Sequence, residues 1–89
     1  MEEDDLPVFP GLRETALRRR RQVIDELAAA RREASLSQTE VAARMGTSQS
    51  VVARLESGQI DARLSTLHRY AAAVGQDLEM ELRPREEPT

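Results

Sequence analysis

Residues 37–58 carry helix-end signals so closely spaced that they leave room for only two short helices and one tight turn. Ser37-Gln38-Thr39-Glu40 is a capping box. In such a box the Ser37 hydroxyl accepts from the Glu40 amide, and the Glu40 carboxylate accepts in return from the amide of Ser37. The helix that starts there carries Val41, Ala42 and Met45 inward and stops at Gly46, a residue suited to a left-handed terminus. Thr47-Ser48 then opens a second helix, Gln49 to Ser57, which turns Val52 and Leu55 inward and ends at Gly58. Ala42 sits where the two helices approach, so a larger side chain would force them apart.

The flanking segments complete a helical domain over residues 12–75. From Leu12 to Ala34 there is neither Gly nor Pro, and Leu17, Ile24, Leu27 and Ala28 recur at helical spacing with Val23 and Ala34 beside them. One helix of about 20 residues, about 30 Å long, is expected. A further helix runs from Ser65 or Thr66 to Val74, with Leu67, Ala71 and Val74 on one face and Gly75 closing it. The period then changes. Leu78, Met80 and Leu82 alternate with acids and Arg83, a two-residue repeat that reads as a half-buried strand over residues 76–84. Residues 1–11, rich in acids and containing Pro7 and Pro10, read as a tail, as do residues 85–89. The expected fold is mostly α: a four- to five-helix bundle with a helix-turn-helix and one short C-terminal β-strand paired across a dimer. Within the chain only the Leu6–Phe9 segment offers that strand a mate, so the simplest closed pairing is with a second copy about a twofold axis.

Composition narrows the function classes. With 89 residues, 39% of them hydrophobic, one Phe, one Tyr and no Trp, the core is thin and aliphatic. The absence of Cys leaves neither disulfides nor thiolate metal sites and reads as intracellular, hence cytoplasmic. The acidic start lacks the basic and apolar pattern of a secretory signal, and no stretch approaches the length of a membrane span. The net charge of −3 conceals a layout. Residues 1–12 hold four acids and no base, residues 13–76 hold eleven Arg against seven acids, and residues 77–89 hold two Arg against five acids. A basic middle between acidic ends suits a nucleic-acid surface, because the field that matters is local.

Two helices at a tight turn have a specific use: the first crosses the DNA backbone and holds the second in the major groove. The outward positions of the second helix, Gln49, Ser50, Ala53 and Arg54, include amide, hydroxyl and guanidinium groups, the chemistries that read base edges. Leu36-Ser37-Gln38-Thr39-Glu40-Val41-Ala42, Met45-Gly46-Thr47-Ser48-Gln49-Ser50 and Arg54-Leu55-Glu56-Ser57-Gly58 together resemble the Cro/CI (XRE) helix-turn-helix family of repressors. The resemblance covers Leu27 to Gly75. It implies base reading by Gln49, Ser50 and Arg54, and phosphate contacts by Gln38 and Ser48; Thr39 and Ser57 are further candidate phosphate contacts. It also implies that Gln38 braces Gln49. Ala53 stands where many members have Ser or Thr, so that hydroxyl is missing. The appended strand is similar to antitoxins of the HigA and HipB type, which dimerise, bind their own operator and neutralise a toxin. That likeness implies a homodimer, a DNA operator and a cognate toxin as partners; the alternating strand puts Leu78, Met80 and Leu82 at the dimer contact, and twofold pairing calls for an inverted-repeat operator.

The other charged residues read more plainly. Arg18-Arg19-Arg20-Arg21 covers a full helical turn and is expected to be mostly a solvated face. Arg31 or Arg32 is expected to clamp Glu40 or Glu56. The lone His68 has no second ligand or triad partner nearby, so no metal, no cofactor and no enzyme activity are expected. The readings that remain are a repressor acting as an antitoxin, a free-standing regulator without a toxin, and a protein-interaction module that has lost DNA binding.

Overall fold

The computed structural model describes residues 12–82 and Pro84. Four helices follow one another: α1 (Leu12–Glu33), α2 (Gln38–Met45), α3 (Gln49–Ser57) and α4 (Leu64–Ala73). The acidic segment 1–11, with its Leu6–Phe9 strand mate, and the tail 85–89 lie outside the described residues.

Local chemistry sets most of the ends. The capping box forms, with the Glu40 amide 3.0 Å from Ser37 Oγ and the Ser37 amide 2.9 Å from Glu40 Oε1. Gly46 (φ 73°) and Gly58 (φ 79°) close α2 and α3 in the left-handed region that side chains with a Cβ resist. A Cβ at Gly58 would stand 2.8 Å from Arg21 Nη1, the movable end of a long side chain, so the positive φ is what calls for glycine there. Two boundaries differ from the sequence reading. Helix α1 ends with Ser35 in the left-handed region at φ 60°, where no glycine marks the stop, and α4 begins at Leu64 instead of Ser65 or Thr66. Its N-cap is Arg63, which supplies no side-chain cap; the Thr66 and Leu67 amides turn back onto the Arg63 carbonyl.

The core gathers Leu27 of α1, Val41, Ala42 and Met45 of α2, Val52 and Leu55 of α3, and Tyr70, Ala71 and Ala73 of α4, with Val74 just beyond. Ala42 is 2% exposed, as its place between helices requires. Leu17 is not a core residue: it is 46% exposed, because α1 has 22 residues and the 9- and 10-residue helices α3 and α4 are too short to cover its first turns. Ala34 is exposed as well, beyond the end of α1.

Residues 76–82 form no sheet pairing, and no strand occurs among the described residues. A strand is defined by its ladder, and one chain offers this segment no described edge to pair with. Leu78 instead packs against the chain's own core, whereas Met80 and Leu82 are exposed. No described helix is long and apolar enough to cross a membrane.

One carboxylate ties all four helices together. Glu56 of α3 accepts from Arg31 of α1 through Nε (2.7 Å) and Nη2 (3.0 Å), from Gln38 Nε2 of α2 (3.0 Å), and from the Tyr70 hydroxyl of α4. Four donors satisfy the acceptor capacity of a carboxylate. Arg31 Nη1 also donates to the Leu36 carbonyl at 3.0 Å, pinning the α1–α2 turn. Outside this cluster, Arg44 donates to the Ala73 carbonyl (2.8 Å) and Arg21 to the Glu56 carbonyl (2.9 Å), so arginines cap the C-terminal ends of α4 and α3. Within the Arg run, Arg20 pairs with Asp61, and Arg21 also pairs with Asp25 at 2.8 Å, while Arg18 and Arg19 are exposed.

Burial pushes the Glu56 carboxyl up, but the bonds from Arg31, Tyr70 and Gln38 outweigh it and hold the group below its ordinary value of 4.5. Glu40 is also lowered, chiefly by the Ser37 amide. A carboxylate depressed in the folded state stabilises the fold fully above its unfolded pKa, and that contribution is lost as pH falls through the folded value. Urea unfolding is therefore expected to show constant stability near neutrality and a decline on acidification below about pH 4.5, in the carboxylate range. Glu56→Gln should flatten the decline; an equally steep decline in the variant would place the acid sensitivity elsewhere.

Candidate nucleic-acid interface

Helical geometry divides α3 into two faces. At 3.6 residues per turn, Gln49, Ser50, Ala53 and Arg54 occupy one continuous arc, and Val51, Val52, Leu55 and Glu56 the other. Val52 and Leu55 are buried, while Gln49, Ser50 and Arg54 are exposed. No described group pairs with the Arg54 side chain. The helix thus offers solvent an amide, a hydroxyl and a guanidinium at the positions expected from sequence to read bases.

The amide is held in place. Gln49 Nε2 donates to Gln38 Oε1 at 2.7 Å, and Gln38 Nε2 donates to Glu56 Oε1 at 3.0 Å. The order of these bonds follows from chemistry: an ionised carboxylate can only accept, so Gln38 must turn its NH2 towards Glu56 and its carbonyl towards Gln49. Gln49 is left with one N–H and its carbonyl oxygen for another partner.

The hydroxyls fall into two groups. Ser48 is the N-cap of α3, accepting from the Val51 amide at 3.3 Å and lying 3.1 Å from Ser50 Oγ. Thr39 is exposed in the first turn of α2, close in sequence to Gln38. Ser57 stands at the far end of α3, and its proton is committed to the Arg54 carbonyl at 3.2 Å. The structure therefore joins Gln38 and Gln49 directly, and joins Ser48 to Ser50, while Ser57 remains apart from both pairs. Leu78, Met80 and Leu82 lie on the segment beyond α4 and take no part in this face.

Two participants escaped the sequence reading. Glu56 was expected only as one option for an arginine clamp, yet it also orders Gln38. Tyr70 was not singled out, although it lies on the same helical face as Leu67, Ala71 and Val74, where burial was expected. Its hydroxyl is raised far above its ordinary value, first by burial and then by the Glu56 carboxylate it donates to. Among the described residues, no group of His, Asp and Glu side chains could hold a metal ion.

Comparison with known proteins places the chain in a family. Residues 27–79 match the helix-turn-helix family model, a span that contains α2, α3 and α4 whole. The chain is 44% identical over 86 residues to antitoxin HigA1 of Mycobacterium tuberculosis, in both the CDC 1551/Oshkosh and H37Rv strains, covering 93% of this chain. It spans 57% of the length of those relatives. No solved structure matches significantly. The chain therefore belongs to the XRE-type helix-turn-helix family, whose members are DNA-binding proteins and not enzymes.

Proposed function

We propose that the chain binds duplex DNA sequence-specifically as a homodimer in the cytoplasm and represses transcription, acting as the antitoxin of a toxin–antitoxin pair that regulates its own operon. The observation that carries the DNA reading is the Glu56–Gln38–Gln49 chain of hydrogen bonds, which fixes an amide outward at the start of an exposed helix. In this reading Gln49, Ser50 and Arg54 meet base edges in the major groove. Gln38, Thr39 and Ser48, at the N-terminal ends of α2 and α3, meet phosphates, where helix dipoles and unpaired amides favour anions. Ser57 contributes a phosphate contact only if its hydroxyl leaves the Arg54 carbonyl. The antitoxin role rests on the 44% identity to HigA1, and the toxin would be a protein partner of the complete pair.

The dimer rests on a different feature. Met80 and Leu82 are 66% and 101% exposed, in line with half-buried Leu78, on a segment whose backbone has no ladder partner among the described residues. Leu64 and Leu17, both close to half exposed, add apolar surface. Antiparallel pairing of two such segments about a twofold axis would cover that surface and set the two α3 helices about 34 Å apart, matching an inverted repeat.

Binding to a duplex selected from a random library should fall by about 10³ to 10⁵ between about 50 and 200 mM salt, as phosphate contacts are screened. On the same duplex Arg54→Ala should cost about 1–3 kcal/mol and relax one base pair per half-site. Salt-independent binding, or an unchanged motif in the variant, would contradict the assignment. Removal of residues 76–89 should leave the helices folded, shift the mass in analytical ultracentrifugation to that of a monomer, and sharply weaken operator binding. A truncated chain that stayed dimeric would move the interface to another surface. A chain purified from its host with no stoichiometric protein partner would favour a regulator without a toxin.

A further inference from the structure

We propose that Glu56 is a positioning residue for base recognition: because its carboxylate can only accept, it fixes the direction of the Gln38 and Gln49 amides, so that Gln49 presents N–H and carbonyl to the DNA in one order. The inference rests on the DNA-binding reading and adds to it a determinant that touches no base. A glutamine amide is nearly symmetric in shape but not in hydrogen bonding. Left unrestrained, its NH2 and carbonyl exchange places with little steric penalty, and the side chain then offers either donor–acceptor order. In the major groove that order carries information, since adenine shows an acceptor at N7 followed by a donor at N6, and other base edges run differently.

The direction is imposed from the interior outward. Arg31 takes up both Glu56 oxygens in a bidentate fork, and the side chains of this ion pair are only 13% and 11% exposed. Tyr70, whose side chain is among the most completely buried, adds a third donor. The carboxylate therefore cannot turn away, and its remaining acceptor site faces Gln38 Nε2 at 3.0 Å. Reversing Gln38 would bring its carbonyl against a carboxylate oxygen, an acceptor facing an acceptor. With Gln38 fixed, its carbonyl faces Gln49 Nε2 at 2.7 Å, and reversing Gln49 would repeat the same conflict. Two successive amides thus inherit one direction from one part-buried charge.

Glu56→Gln keeps the shape but replaces an obligate acceptor with a group that donates or accepts, so both directions become available. Library selection with the intact protein should show the preference at the base pair read by Gln49, about 5- to 150-fold for a good bidentate contact, falling towards parity in the variant. The preference at the base pair read by Arg54 should persist. Because the variant also weakens the Arg31 pair, Ile24→Ala serves as a destabilised comparison: it truncates a buried α1 side chain, 3% exposed, that makes none of the relay's hydrogen bonds, and it should retain the full motif. In the unliganded wild-type protein, NMR should show one Gln38 side-chain amide proton shifted downfield and slow to exchange, and Glu56→Gln should abolish that signature. A fast-exchanging Gln38 amide in the wild type would overturn the relay whether or not Glu56→Gln folds. Specific binding with the same motif in Glu56→Gln would overturn the proposal alone, and no wild-type preference for any duplex would remove the DNA reading together with it.

Discussion

The Glu56 carboxylate is the constraint on which the rest of the molecule depends. A domain of this size has a thin aliphatic core, and apolar packing by itself tolerates small rotations of one helix over another. A part-buried carboxylate with every acceptor site filled does not. Its four acceptor sites are filled by donors from α1, α2 and α4, so each helix must arrive with a particular residue at a particular angle, or leave a charge unpaired. Removing one partner of a fully buried pair costs about 3–5 kcal/mol; this pair is part-buried, so solvent screens it and the cost is smaller. The contribution is as much to uniqueness as to stability: it selects one arrangement of α2 against α3, and that arrangement sets the face proposed to meet DNA.

What could be read from the sequence was what is local. The ends of α2 and α3 follow from Ser37, Glu40, Gly46, Ser48 and Gly58, because a cap involves residues only a few positions apart. The inward faces of α2 and α3 follow from periodicity. Long-range partners were beyond this kind of reading. Arg31 with Glu56 was one of several pairings the sequence allowed, and Arg20 with Asp61 or Arg44 with the Ala73 carbonyl depend on how helices far apart in sequence lie together. The start of α4 differs because Ser65 and Thr66 look like caps, whereas the first helical bonds run from the Thr66 and Leu67 amides to the Arg63 carbonyl. For the C-terminal segment, alternation of apolar residues marks a face but does not supply the ladder partner, and Leu78 finds cover on its own core.

The arginines show how a basic composition divides between architecture and function. Arg20, Arg21, Arg31 and Arg44 each bind a carboxylate or a carbonyl within the chain and stitch helices together. Arg54, on the outward arc of α3, is left to face a ligand. The positive charge of the central region is thus partly consumed in holding the fold, which makes affinity for DNA depend on a few well-placed groups and on helix N-termini more than on bulk charge.

In the proposed complex the α2–α3 face meets DNA with Gln49 leading. The most direct measurement is an NMR titration of the isotope-labelled full chain with a duplex chosen by library selection. Amide signals of Gln38, Thr39, Ser48, Gln49, Ser50 and Arg54 are expected to shift together at stoichiometric duplex, while those of His68 and Arg69 on α4 stay in place. Shifts centred on α4 or on the 76–82 segment, with α3 unmoved, would contradict the account.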